Sequence, residues 1–219
     1  MKLTGAEILL ESLIAEGVKT FFGYPGGVVL PLFNTFVKYP QIRHVLVRHE
    51  QAAAHAADGY ARVSGETGVC LATSGPGATN LVTGIANAYM DSIPIVVITG
   101  NVARDLIGRD GFQEADITGI TLPITKHSVL VRSAADLGPA IHEAFHIARS
   151  GRPGPVLVDI PKDVQLEAAE LGPQPVYSSE STAIPGEELE RAHELLRTCE
   201  RPVILAGHGI LLSRAHDDL

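Results

Sequence analysis

Short apolar runs alternate with stretches of helical spacing from residue 4 to residue 160. Ala6, Leu9, Leu10, Leu13 and Ile14 recur at intervals of three and four behind Thr4 and Glu7, a capping-box opening. That spacing predicts a helix ending near Gly17. Runs rich in Val, Ile, Leu and Phe follow at 19–23, 42–47, 68–73, 94–99, 127–131 and 155–160. Helical patterns fall between them at 28–38, 50–63, 78–89 and 134–149, with a loop over 108–119. Runs this continuously apolar are buried on both faces, which predicts a mostly parallel, six-stranded sheet with helices on each side. The expected fold is a doubly wound α/β domain whose ligands sit beyond the carboxyl ends of the strands.

The pattern lapses over 166–186, where Gly172-Pro173-Gln174-Pro175 and Ser178-Ser179-Glu180-Ser181 read as an interdomain linker. A helical pattern at 187–198 and an apolar run at 202–206 then open a second α/β domain, which 187–219 is too short to complete. The expected organisation is a first domain over 1–165, a linker over 166–186 and a truncated second domain over 187–219. The 22 Gly and 14 Pro suit the many tight turns of such a fold. A net charge of −8 argues against nucleic acid or an anionic membrane as partner. The start of the chain has no signal-type apolar run, and no stretch reaches the ~18 apolar residues of a membrane span. Cys70 lies inside an apolar run, far from Cys199, which predicts a buried free thiol and a reducing, cytoplasmic setting.

Candidate chemistry gathers in three turns. Glu50 follows one apolar run and opens a helix rich in alanine, within Arg48-His49-Glu50-Gln51-Ala52-Ala53-Ala54-His55. It is either a carboxylate placed on the helix dipole or one held in a small dry pocket, where it can share a proton with a heterocycle nitrogen. Ser74-Gly75-Pro76-Gly77-Ala78-Thr79-Asn80 lacks both the Walker lysine and the G-x-G-x-x-G spacing. It is an ordinary strand-to-helix turn or a backbone held close to a flat ligand. Tyr24-Pro25-Gly26-Gly27 offers the same choice, with N–H groups free to face an oxyanion. Lys162 and Arg152 read by themselves as solvated cations. The nine histidines form no metal-binding spacing; His49 and His55 read as packing or polar-satisfaction residues.

These segments, with Asp58-Gly59-Tyr60-Ala61-Arg62, Phe112-Gln113-Glu114, Ile124-Thr125-Lys126-His127 and Ser150-Gly151-Arg152-Pro153-Gly154-Pro155, resemble in order the N-terminal part of acetohydroxyacid (acetolactate) synthase catalytic subunits. The resemblance runs from about Gly5 to Lys162. It implies the pyrimidine domain of a thiamine diphosphate fold, the opening of a middle domain, and a protein more than twice this length. It implies condensation of pyruvate with a second 2-keto acid, pyruvate or 2-oxobutyrate, with loss of CO2. Glu50 would sit on the cofactor's pyrimidine nitrogen and favour the tautomer that activates it. Gly27 would face developing oxyanion charge, Gln113 the reacting centre, Phe112 the substrate channel, and Lys162 the anionic substrate. Tyr24, Pro25, Gly26, Pro76 and Asn80 would line the pyrimidine pocket, and Arg152 would contact FAD. Mg²⁺ would be held by ligands outside this chain. The resemblance further implies a homodimer with the site at the subunit interface, and a separate small regulatory subunit.

Asn101-Val102-Ala103 departs from the family's usual Gln-Val-Pro, and Val28 and Asp105 replace a usual alanine and a usual basic residue. These changes border the substrate channel. A sister thiamine carboligase or decarboxylase, and a fragment inactive alone, are the competing readings.

Overall fold

The computed structural model describes residues 2–177 and 184–219. The chain divides into two compact units, Met1–Tyr177 and Ser178–Leu219. The first runs β1 (Lys2–Thr4), α1 (Gly5–Ala15), β2 (Thr20–Gly23), α2 (Leu30–Phe36), β3 (Arg43–Leu46), α3 (Glu50–Ser64), β4 (Gly68–Ala72), α4 (Pro76–Thr79) and α5 (Val82–Met90). It continues through β5 (Ile95–Asn101), α6 (Ile117–Thr121), β6 (His127–Leu130), α7 (Ala134–Arg149), β7 (Val156–Pro161), α8 (Lys162–Leu166) and β8 (Ala168–Glu170).

Six strands form one all-parallel sheet in the order β3-β2-β4-β5-β7-β6, as the apolar runs predict. Successive residues point to opposite faces and enter two separate cores. Val69, Leu71, Val96, Ile98, Val156 and Val158 pack with α1 and α7 on one side. Cys70, Ala72, Ile95, Val97 and Leu157 pack with α3 and α5 on the other. Burying one such side chain is worth about 1.5–3 kcal/mol, so the two layers together fix the edge from which the site projects.

The Thr4–Glu7 capping box is formed, with Thr4 Oγ1 accepting from Glu7 N at 3.3 Å and Glu7 Oε2 accepting from Thr4 N at 2.9 Å. The helix expected over 78–89 begins earlier and is broken between α4 and α5. There Leu81 N–H bonds Ala78 O, three residues back, instead of continuing the four-residue ladder. The loop expected over 108–119 gives way to α6 at Ile117, whose cap is Asp116. Inside the stretch read as a linker, β8 pairs antiparallel with β1. Residues 178–183 of that linker lie outside the described residues.

The second unit contains α9 (Gly186–Thr198) and α10 (Gly209–Leu212). The strand expected over 202–206 is not formed. Among the described residues no neighbouring strand offers its backbone a partner, and Val203 and Leu205 are exposed. Cys70 and Cys199 are both free, and burial pushes the Cys70 thiol up to about 12.

Candidate active site

β3 lies on one side of β2 and β4 on the other, so the chain winds outward to β3 and then crosses back past β2 to β4. A crevice opens at such a switch point, beyond the carboxyl ends of the strands. The turns after β2, β3 and β4 frame it. Tyr24 N–H bonds Leu71 O at 3.3 Å, and Val47 N–H bonds Gly23 O at 3.1 Å, tying the three turns to one another.

Glu50 is the first residue of α3, but the cap of that helix is His49, whose Nδ1 accepts from Gln51 N at 3.2 Å. The Glu50 carboxylate is thereby released from the capping role. Its Oε2 accepts from Asn80 Nδ2 at 3.0 Å. Its Oε1 makes no hydrogen bond among the described residues and faces Gly77, where an added Cβ would stand 3.3 Å away. The break between α4 and α5 is what brings Asn80 within reach. The alanine stripe of α3 serves close packing: Ala53, Ala54, Ala57 and Ala61 are buried, and Gly84 of α5 fits directly over Ala54. Asp58, also buried, accepts from Asn87 Nδ2 at 2.8 Å and Arg62 Nε at 3.0 Å, bracing α3 against α5 beneath Glu50.

Thr73 is wedged between two glycines. A Cβ at Gly26 would fall 2.6 Å from Thr73 Oγ1, and one at Gly77 would fall 2.7 Å from Thr73 Cγ2. Only glycine allows this approach. The hydroxyls of Thr73 and Ser74 are buried without partners among the described residues, an expensive condition that a bound polar ligand can relieve. A Cβ at Gly27 would meet nothing within 4 Å, so its backbone borders open space. Tyr24 is 39% exposed at the rim, and Pro25 and Pro76 stiffen the turns on either side of the crevice.

Gln113 comes to this crevice from a distant loop. Its carbonyl oxygen lies where a Cβ on Gly75 would need to be, 2.5 Å from that position, and Gly75 itself has φ +58°. Phe112 beside it is 89% exposed. Lys162 opens α8 at the same edge of the sheet, exposed, directly after β7 and so two strand positions beyond β4. Arg152 is not brought to this group. It precedes β7 at the opposite, amino edge, where its Nε donates to Ser92 Oγ at 2.7 Å and its Nη2 to Met90 O at 3.1 Å.

Two acidic residues escape a reading of the turns alone. Asp159, buried in β7, accepts from Thr99 Oγ1 at 2.7 Å and Asn101 Nδ2 at 2.5 Å. Burial pushes its carboxyl up to about 6 against the pull of those donors. A lone carboxylate inside the apolar run 156–160 was the available signal. Glu114 binds the loop that carries Gln113, accepting from the N–H groups of Gly108 and Gly111. Its signal was only its place beside Gln113.

The family model for the thiamine pyrophosphate enzyme N-terminal TPP binding domain matches residues 3–120, and the chain belongs to that family. It is 50% identical to an acetolactate synthase of Arthrospira platensis, over 100% of this chain and 39% of that protein. It is 53% identical to one of Mycobacterium bovis, over 100% of this chain and 36% of that protein. It is 49% identical to the acetolactate synthase isozyme 2 large subunit of Escherichia coli, over 97% of this chain and 39% of that protein. The chain thus spans less than two-fifths of the length of these relatives.

Proposed function

We propose that the chain supplies the pyrimidine half-site of a thiamine diphosphate enzyme that condenses pyruvate with a second 2-keto acid. The products are 2-acetolactate from two pyruvates, or 2-aceto-2-hydroxybutyrate when 2-oxobutyrate is the acceptor, with loss of CO2. This is the entry reaction of branched-chain amino-acid biosynthesis. The carrying observation is Glu50: a carboxylate freed from helix capping, fixed by Asn80, with its second oxygen directed at a glycine-walled space. The unpartnered hydroxyls of Thr73 and Ser74 and the close-approach glycines fit a flat, polar heterocycle. The acetolactate synthase names of the relatives support this reading.

Thiamine diphosphate would supply, when bound, a nucleophilic carbon and an electron sink for decarboxylation of a 2-keto acid. Glu50 Oε1 holds a proton at the pyrimidine nitrogen, and Asn80 keeps Oε2 from swinging away. Tyr24, Pro25, Gly26 and Pro76 wall the ring. The Gly27 N–H donates to oxyanion charge as it develops. Gln113 orients the reacting group, Phe112 excludes water beside it, and Lys162 attracts the substrate carboxylate.

Mg²⁺ belongs to ligands beyond these residues; no group of three or more His, Cys, Asp or Glu that could hold a metal occurs among the described residues. FAD would meet Arg152, whose Nε and Nη2 donate to Ser92 Oγ and Met90 O, and no step runs through it. We infer a homodimer, with the exposed Tyr24, Leu30 and Phe112 covered by a second copy. A separate small subunit is inferred as its regulator, following the "large subunit" in a relative's name. No helix among the described residues is long and apolar enough to cross a membrane, and a cytoplasmic location completes the proposal.

The test is acetolactate formation from pyruvate by the full-length protein with thiamine diphosphate, Mg²⁺ and FAD. Glu50→Gln should lower the rate at least ~100-fold, about 2.7 kcal/mol of barrier. No acetolactate from the parent protein would reject the synthase reading in favour of a sister thiamine carboligase.

A further inference from the structure

The loop over 108–114 presents Gln113 in a conformation that ordinary sequence preference would not select. Gln113 has φ +58°, a left-handed value disfavoured for any residue with a Cβ. Its carbonyl oxygen occupies the space that a Gly75 side chain would fill. Neither the Gln113 side chain nor that of Phe112 is buried, so side-chain packing does not hold this backbone in place.

The Glu114 carboxylate does. One oxygen accepts from Gly108 N and the other from Gly111 N, the latter at 2.8 Å, closing the loop into a ring. These N–H groups, with those of Arg109 and Asp110, hold the Glu114 carboxyl below the usual carboxylate range. A carboxylate offers one acceptor oxygen to each glycine; an amide offers a single acceptor, and a methyl none.

We propose that Glu114 is a positioning residue whose carboxylate latches the loop 108–114 and thereby holds Gln113 against Gly75 at the mouth of the crevice. The proposal rests on the reading of Gln113 as a residue of the thiamine diphosphate site. Glu114 acts only through its neighbour. The latch therefore contributes to turnover only while Gln113 is present.

The test uses the full-length protein with thiamine diphosphate, Mg²⁺ and FAD, and compares Glu114→Gln, Glu114→Ala, Gln113→Ala and the double Ala variant. Backbone hydrogen exchange of the loop, read without turnover, should quicken about tenfold in Glu114→Ala and by an intermediate factor in Glu114→Gln. For acetolactate formation, Glu114→Ala should lower kcat about tenfold with KM for pyruvate changed less than about threefold. The double variant should match Gln113→Ala within about twofold, because coupled residues are not additive. Unchanged exchange would overturn the latch. An equal loss from Glu114→Ala with and without Gln113 would overturn its action through Gln113. If the parent forms no acetolactate, the functional reading fails by itself, and exchange at the Gly108 and Gly111 amides still decides the latch.

Discussion

The two edges of the parallel sheet are built on opposite terms. At the amino edge, charges close on one another. Glu16 meets His142 Nδ1 at 2.6 Å and Arg149 Nη1 at 2.9 Å, while Arg149 Nε donates to Thr67 Oγ1 at 2.7 Å and lies 5.0 Å from the Phe145 ring centre. Arg62 joins Asp58 to Asp91, and Lys126 donates to the carbonyls of Ile147 and Ser150 at the end of α7. At the carboxyl edge, around the switch point, groups are left open instead. Among the described residues Glu50 Oε1 and the hydroxyls of Thr73 and Ser74 have no partner, Gly27 faces space, and Gln113 sits in a left-handed conformation. The amino edge is not wholly closed, since the buried His142 Nε2 has no partner among the described residues, but its charges are paired, whereas those proposed to meet a ligand are left open at a cost in stability.

That contrast can be broken most sharply with one methyl group at the open edge. Gly77→Ala would place a Cβ 2.7 Å from Thr73 Cγ2 and 3.3 Å from Glu50 Oε1. Thr73 is itself wedged against Gly26, so the displacement falls on Glu50 and on the space proposed for the pyrimidine. Thiamine diphosphate affinity, measured by calorimetric titration, should fall about 100-fold, which corresponds to about 2.7 kcal/mol. Unchanged affinity would mean that the glycine wall serves packing rather than a ligand.

A second test asks whether burial of charge near the carboxyl ends of the strands costs stability. Asp159 has a carboxyl raised from its ordinary 3.8 to about 6. Between those values the folded protein keeps a proton that the unfolded chain has given up, so the Asp159 contribution favours the fold at low pH and is lost as pH rises through about 6. Asp159→Asn removes this slope, and the Thr99 hydroxyl can rotate to suit the amide. Unfolding midpoints at pH 4 and pH 7 should shift in favour of the variant by on the order of 2 kcal/mol between the two conditions. A parallel pH dependence in both proteins would show that Asp159 is already ionised at little cost.

Much of this organisation is legible in the chain. The six parallel strands announce themselves because both faces of each are buried, and the glycine-rich turns stand out because only glycine allows the approaches made at Gly26 and Gly77. The pairing of β1 with β8 was hidden, since a three-residue strand carries too little alternation to register. The run 202–206 misled in the other direction: apolar β-branched residues signal a strand without naming a partner for it. At the site, Glu50 and Asn80 fall on adjacent motifs, but their meeting depends on the helix break at Leu81. Gln113 entered only through family resemblance. The bonds of Asp159 to Asn101 and Thr99 span 58 and 60 residues, a separation that local pattern does not reach.

The smallest effect belongs to the closed edge and defines it best. Glu16→Gln removes the charge from the His142–Glu16–Arg149 group while keeping an acceptor for one of its partners. Arg149 is 44% exposed on its side chain, so solvent screens much of that pair, whereas His142 at 8% is not free to find water. The loss should therefore be that of a partly buried hydrogen bond, about 1 kcal/mol, read as a shift in the denaturant midpoint. Cofactor affinity and turnover of the folded protein should stay within about twofold of the parent, since the group sits at the far end of the strands and additivity holds across such distances. A variant that kept its stability but lost cofactor would invert the comparison, and would show that the amino edge also holds the site in place.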